Sequence, residues 1–182
     1  MRRGKLNALV LGAATIAVLA GLYAGVAGRG KQVPATTISP AAVTHLFATR
    51  LADSAGKSQD FDQWRGQTLV VNFWATWCEP CRDEMPALSR LSERFSPNGI
   101  HFIGIALDTP ANVADFAKKL VVSYPLLIAG PEGIELSQSL GNTHSALPYT
   151  VVLGPRGEAL LTRLGRVSEV ELAKVLQESA RL

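Results

Sequence analysis

Apolar positions follow two rhythms along this chain. From Leu6 to Gly28 no side chain is charged, and Leu9 to Ala27 consists of Ala, Leu, Val, Ile and Gly with one Thr and one Tyr. About 22 helical residues at ~1.5 Å each reach ~33 Å, enough to cross a hydrocarbon layer ~30 Å thick. Beyond Pro40 the apolar runs are short and separated by turn residues. His45 to Leu51 reads as a short strand, Ala55-Gly56-Lys57 as a turn, and Phe61 and Trp64 as marks of a helical turn ending at Gly66. Thr68 to Trp74 is β-rich and nearly continuous in apolar residues, as expected of a strand covered on both faces. A helix follows from about Glu79 to Phe95, with Met85, Leu88, Leu91 and Phe95 at helical spacing, until Asn98-Gly99 ends it.

Ile100 to Leu107 is a second buried strand, closed by Asp108. Pro110 opens a helix to about Leu120, Val121 to Ala129 is extended around Pro125, and Gly133 to Leu140 is a short helix stopped by Gly141-Asn142. Tyr149 to Leu153 and Glu158 to Leu164 form a hairpin through Gly154-Pro155-Arg156-Gly157. Ser168 caps a last helix, whose first-turn Glu169 and Glu171 complement its dipole. The order β-α-β-α-(α)-β-β-α is an α/β pattern with a mixed sheet. The organisation expected is a basic cap over 1–5, a membrane-spanning anchor over 6–28, a linker over 29–41 and one domain over 42–182. Arg2, Arg3 and Lys5 keep the N-terminus inside, so the domain is exported. A cleaved signal peptide is the alternative, because Gly25-Val26-Ala27 ends in small residues.

Charge changes the picture once it is located. The net charge of +3 arises from 18 basic and 15 acidic side chains, yet Arg2, Arg3, Lys5, Arg29 and Lys31 all precede residue 32 and no acid does. The rest carries about −2 and no basic face with interleaved aromatics, so nucleic-acid binding is not expected. At 47% hydrophobic and 18% charged the chain is too apolar for disorder. The two cysteines cannot supply a multi-disulfide framework or, alone, a four-ligand zinc site.

Both cysteines lie in Trp77-Cys78-Glu79-Pro80-Cys81, where a buried strand meets an amphipathic helix. Cys78 falls at the helix N-cap, where free N–H groups and the macrodipole favour an anion and lower a thiol pKa. Cys81 lies one turn later on the same side, so the two sulfurs can close into a disulfide. That loop is too short for the bridge to be an effective staple, and a bond that opens and closes explains it better. The expected chemistry is thiol–disulfide exchange with Cys78 attacking and Cys81 resolving. A structural disulfide, or half of a zinc or Cu(I) site, are the alternatives. His45, His101 and His144 stand apart from the cysteines and from one another, so no resident metal or other cofactor is expected.

The stretch Val71-Asn72-Phe73-Trp74-Ala75-Thr76-Trp77-Cys78-Glu79-Pro80-Cys81-Arg82-Asp83-Glu84-Met85-Pro86 resembles the active-site signature of the thioredoxin superfamily, in particular its membrane-anchored TlpA/ResA-like branch. The resemblance implies a thioredoxin fold. Its mixed central sheet is flanked by helices, with an N-terminal extension and a short helical insert, here Gly133 to Gly141, before a cis-proline strand. It makes Cys78 the exposed nucleophile, Cys81 its buried partner and Pro86 the helix-kinking proline. Leu147-Pro148 matches the cis-proline pair, with Leu147 facing substrate, the alternative being an ordinary trans proline at a strand entrance; Trp77, Glu79 and Pro80 would border that surface. Asn72 stands where cytoplasmic thioredoxins carry a buried Asp, and an amide cannot accept the resolving thiol's proton. Glu84 matches the acidic residue of ResA-like proteins and is expected to accept that proton or to tune the pKa of the cysteine pair. The alternative for Glu84 is a solvated carboxylate paired with a nearby Arg.

The implied function is reduction of exported proteins, at the bacterial inner membrane, single-pass, with the catalytic domain in the periplasm. Apocytochromes c or copper-site proteins are the implied substrates, and a membrane thiol transporter of the CcdA/DsbD type the implied electron donor. Two other readings share the thiols. One is a peroxiredoxin-like peroxidase, although Thr76 is two residues before Cys78 rather than three. The other is a non-enzymatic Cu(I) or haem-handling carrier.

Overall fold

A computed structural model describes residues 38–181. The anchor expected over 6–28 and its basic cap lie outside the described residues. Among the described residues no helix is long and apolar enough to cross a membrane. The chain runs α1 (Pro40–Ala48), β1 (Arg50–Asp53), β2 (Ser58–Asp60), a 3-10 turn (Phe61–Trp64), β3 (Thr68–Trp74), α2 (Glu79–Phe95), β4 (Ile100–Ala106), α3 (Pro110–Ala117), β5 (Leu126–Ile128), α4 (Gly133–Ser139), β6 (Tyr149–Leu153), β7 (Ala159–Leu164) and α5 (Glu169–Ser179).

One mixed sheet, in the order β2-β1-β5-β4-β3-β6-β7, carries everything else. β3, β4 and β5 run parallel, while β6 lies antiparallel to β3, β7 to β6, and β1 to both β5 and β2. The alternation of β3 divides the core. Val70 and Trp74 face α2, α3 and α5 through Met85, Leu88, Val113, Leu172 and Leu176. Leu69, Val71 and Phe73 face α1 and α4 through Leu46, Phe47, Leu136 and Leu140. Every residue of β3 is buried, as its unbroken apolar run requires of a strand sandwiched between helical layers.

The chain's start differs from expectation. His45 to Leu51 is not a strand: it joins the end of α1 to the start of β1. Ser39 caps α1 by accepting from the Ala42 N–H at 3.1 Å, Pro40 occupies the first turn, and Ala42, Leu46 and Phe47 bury one side. Pro40 and Ala41, read above as the end of a linker, are therefore its first two residues. β1, β2 and β5 add a hairpin and an edge to the sheet that the element order above lacks. The remaining elements fall where expected, α3 ending at Ala117 instead of Leu120.

Candidate active site

The end of β3 and the start of α2 set the site. The Leu107 N–H bonds the Trp74 carbonyl at 2.8 Å, so pairing with β4 continues to the last residue of β3. The chain then turns through Ala75, Thr76 and Trp77, and the Cys78 N–H closes on the Ala75 carbonyl at 3.1 Å. Cys78 is the N-cap of α2, with extended backbone, and its Sγ accepts from the Cys81 N–H at 3.3 Å. A thiolate left there on reduction stays within reach of that donor and of the positive end of the helix dipole. Pro80 sits in the first turn, where its missing N–H is not needed. Cys78 and Cys81 form a disulfide with Cα atoms 5.3 Å apart. Cys81 is fully buried while Cys78 keeps 5% of its surface open, so an incoming thiol meets Cys78. Glu79 and Pro80 are exposed beside it, and Trp77 stands 69% exposed.

Glu84, one turn beyond Cys81, is not solvated: only 2% of its surface is open. Its carboxylate accepts the Asn72 amide at 2.8 Å and the Val167 N–H at 3.0 Å. Burial pushes its pKa up to about 7, against the opposing pull of the Val167 and Asn72 donors and the Arg166 charge. A carboxyl that changes protonation near neutrality lies on the helix that bears both cysteines. The solvated, Arg-paired alternative is excluded; the nearby Arg166 pairs instead with Asp83 at 3.7 Å.

The Leu147-Pro148 peptide bond is cis. β6 pairs Tyr149 with Phe73, so one residue further along both strands brings Pro148 beside Trp74, where the loop to Cys78 begins. The fold thus gathers Trp77, Cys78, Glu79, Pro80, Cys81 and Leu147-Pro148 at one end of the sheet. Two further residues organise this end and were read above only as boundaries. Asn142, 1% exposed, accepts the Ala146 N–H at 3.2 Å and donates to the Ala146 carbonyl at 3.0 Å, clamping the residue before Leu147. Asp108, 8% exposed, accepts from both the backbone and the hydroxyl of Thr76, at 3.0 and 2.5 Å. An acid directly after a buried strand and before the Thr-Pro start of a helix is the local signal for the second; nothing local marks the first.

Comparison with known proteins agrees with this geometry. The sequence model of the Redoxin family matches residues 29–180. Among curated relatives, the thiol-disulfide oxidoreductase ResA of Geobacillus thermodenitrificans (strain NG80-2) is 25% identical over 128 residues, spanning 70% of this chain and 71% of its own. Among solved structures, a thioredoxin-related protein from Neisseria meningitidis serogroup B is 35% identical with a TM-score of 0.65, covering 72% of this chain and 99% of that one. A thiol:disulfide interchange protein of the thioredoxin family from Chlorobium tepidum TLS is 25% identical with a TM-score of 0.65, covering 72% and 92%.

Proposed function

The chain belongs to the Redoxin family and is a TlpA/ResA-like thiol–disulfide oxidoreductase, and from that premise we propose that it works as a reductant of exported proteins, with Glu84 managing the proton of Cys81. The observation that carries this reading is the pairing of an N-cap disulfide with a buried carboxyl whose pKa is about 7.

In the dithiol form Cys78 is the thiolate, and its Sγ attacks one sulfur of a substrate disulfide. The substrate S–S bond breaks, a mixed disulfide to Cys78 forms, and the leaving sulfur departs as thiolate and takes up a proton. Cys81 then loses its proton to the Glu84 carboxylate and attacks the Cys78 sulfur. The second substrate thiol is released, and the protein holds the Cys78–Cys81 bond. Two electrons have passed to the substrate, and Glu84 returns its proton to water. At neutral pH a carboxyl of pKa about 7 is populated in both forms, as a group that takes and returns a proton in each cycle must be. An ordinary Glu, with a pKa near 4.5, would stay ionised and be a poor base for a buried thiol.

Trp77, Glu79, Pro80 and Leu147, beside cis-Pro148, border the surface on which the substrate's sulfur is presented. Reduction is needed where the compartment is oxidising, which fits a domain held outside the cytoplasm by the segment over 6–28. The electrons come from a membrane thiol transporter of the CcdA/DsbD type, and apocytochrome c or copper-site protein cysteines are the substrates. A peroxidase finds no support in the same loop, since Thr76 spends its hydroxyl on Asp108.

Insulin reduction tests the activity: wild type turns over with dithiothreitol as donor, Cys78→Ser does not, and equal rates would refute the assignment. Cys81→Ala, expressed in cells, should retain partners on Cys78 through a mixed disulfide. Glu84→Gln should change the pH profile of thiol alkylation. An unchanged profile removes Glu84 from the proton transfer.

A further inference from the structure

Asp108 carries a charge where packing alone needs none. It follows β4 and precedes α3. Its Oδ2 takes the Thr76 N–H at 3.0 Å and the Thr76 hydroxyl at 2.5 Å, while its Oδ1 takes the Thr109 N–H at 2.8 Å and the Asn112 amide at 2.7 Å. Thr109 in turn caps α3 by accepting the Asn112 N–H at 3.3 Å. One carboxylate therefore bridges the loop that carries the nucleophile and the first turn of a helix packed on the same face of the sheet. All four donors are neutral, and no ion pair among the described residues includes Asp108. A charge buried without a counter-ion is costly unless its lone pairs are all met, and here four donors meet them. A neutral side chain could close the strand without that cost, but it could not accept at both ends.

The loop's other supports lie on either side of Thr76. From Trp74 to Cys78 the backbone is held by Leu107 on the Trp74 carbonyl, by the Cys78–Ala75 turn closure and by the Arg82 N–H on the Cys78 carbonyl at 3.2 Å, and Ala75 and Cys78 are packed in the core. Thr76, between them, is anchored by Asp108. The next residue is the highly exposed Trp77, which contributes little packing to hold the loop. When the Cys78–Cys81 bond opens, the covalent restraint on Cys78 disappears, at the moment when Cys78 has to be aimed at a substrate.

Resting on the oxidoreductase reading above, we propose that Asp108 is a positioning residue for the nucleophile: through Thr76 it holds the Cys78 loop in one place in both the disulfide and the dithiol forms. The loss of aim without it falls on Cys78's reaction with any disulfide, large or small, because a nucleophile displaced by about 1 Å reacts much more slowly.

The test uses the full chain and its reduced form. Second-order rates with oxidised glutathione are measured for wild type, Asp108→Ala, Thr76→Val and Thr76→Ser, each at a temperature where it is fully folded, alongside thermal midpoints. Insulin reduction by wild type is the control for the underlying activity; if wild type itself is inert, the oxidoreductase reading fails and not this one. With wild type active, Asp108→Ala should lose about tenfold in rate. Thr76→Val should lose about threefold, since its backbone bond survives. Thr76→Ser, which keeps the hydroxyl, should fall within twofold of wild type. The Thr76 amide should be protected from hydrogen exchange to the same degree in both redox forms. If Asp108→Ala does not fold, the Thr76 pair decides alone. Lower midpoints with wild-type rates would make Asp108 structural only, and protection of Thr76 lost on reduction would show that the loop is not held through the cycle; either result overturns the proposal.

Discussion

Two nearly buried carboxylates lie on the two sides of the Cys78 junction, and they behave oppositely. Glu84, under α2, is 2% exposed and Asp108, at the end of β4, is 8% exposed. Burial pushes both upward. In Glu84 it prevails over the two donors from Val167 and Asn72 and the Arg166 charge, leaving a pKa of about 7. In Asp108 burial is outweighed by the donors from Thr76, Asn112 and Thr109, and the pKa lies below the ordinary carboxylate value. The lesson is that a carboxylate's burial does not decide its charge; depth set against the number of donors does. Near neutral pH one acid therefore exchanges a proton and the other remains a fixed anion. Those are the properties wanted of a proton acceptor and of a clamp.

The largest way to break this contrast is Glu84→Gln. A folded-state pKa raised from 4.5 to about 7 means that the native state holds a proton which the unfolded state releases. The stabilisation is complete below pH 4.5 and is lost as pH rises through about 7, amounting to about 3 kcal/mol over the window. Denaturant unfolding of the oxidised protein between pH 4 and 8 should show that fall in wild type and lack it in Glu84→Gln. Parallel curves would mean that Glu84 does not titrate near neutrality.

Next in size is Asn72→Leu, which takes one of the two donors from Glu84. A bond to a charged acceptor contributes about 2 kcal/mol, so the loss should be near that at pH 8 and less than half as much at pH 5, where the carboxyl is protonated. Carboxyl-carbon NMR should place the Glu84 titration above its wild-type midpoint. A midpoint that stays or falls would show that Asn72 does not support the anion. Asp108→Asn sharpens the other side. An amide can accept from Thr76 only by turning its own N–H groups toward Thr109 or Asn112, a mismatch costing about 1–2 kcal/mol at pH 7. Because the folded pKa of Asp108 is depressed, its stabilisation is present above 3.8 and fades as pH falls through the folded value. Acid unfolding of Asp108→Asn should therefore be less steep than that of wild type, and an identical acid limb would assign the acid sensitivity elsewhere.

How much of this the chain discloses depends on the range of the interactions. β3 and α2 were expected over the residues where they are found, because an unbroken apolar run, an N-cap Cys and a helical stripe of Met85, Leu88 and Leu91 are local signals. β2 is Ser-Gln-Asp, three polar residues paired only because β1 runs beside them, and no pattern within it betrays a strand. α1 is hidden because its last residues and β1 together read as one apolar stretch, while its Ser39-Pro40 start reads as linker. Both cysteines are legible from the motif, and Pro148 from the resemblance, but the sequence leaves its cis or trans state open and the structure shows it cis. The burial of Glu84 is not legible: it follows Arg82 and Asp83, both exposed, and it is covered by Val167, which comes 83 residues later. The role of Asp108 was hidden in the same way, its partner Thr76 lying 32 residues earlier.

The smallest change is the most discriminating. Thr150 faces Asn72 across the β3–β6 pairing, and its hydroxyl accepts the same amide group that serves Glu84, at 3.0 Å. Thr150→Val preserves shape and removes only that acceptor, which should cost about 1 kcal/mol, equally at pH 5 and pH 8. The Asn72 group can still donate to Glu84, so the titration of Glu84 should move far less than in Asn72→Leu. If Thr150→Val instead shifts it as much, the carboxyl is governed by the orientation of the whole Thr150–Asn72–Glu84 chain and not by the donors it receives directly. The contrast with Asp108 would then rest on how firmly each donor is held, because three of the four donors to Asp108 belong to the residue directly after it or to Thr76, within the loop it clamps, whereas the side-chain donor to Glu84 is positioned by a third residue.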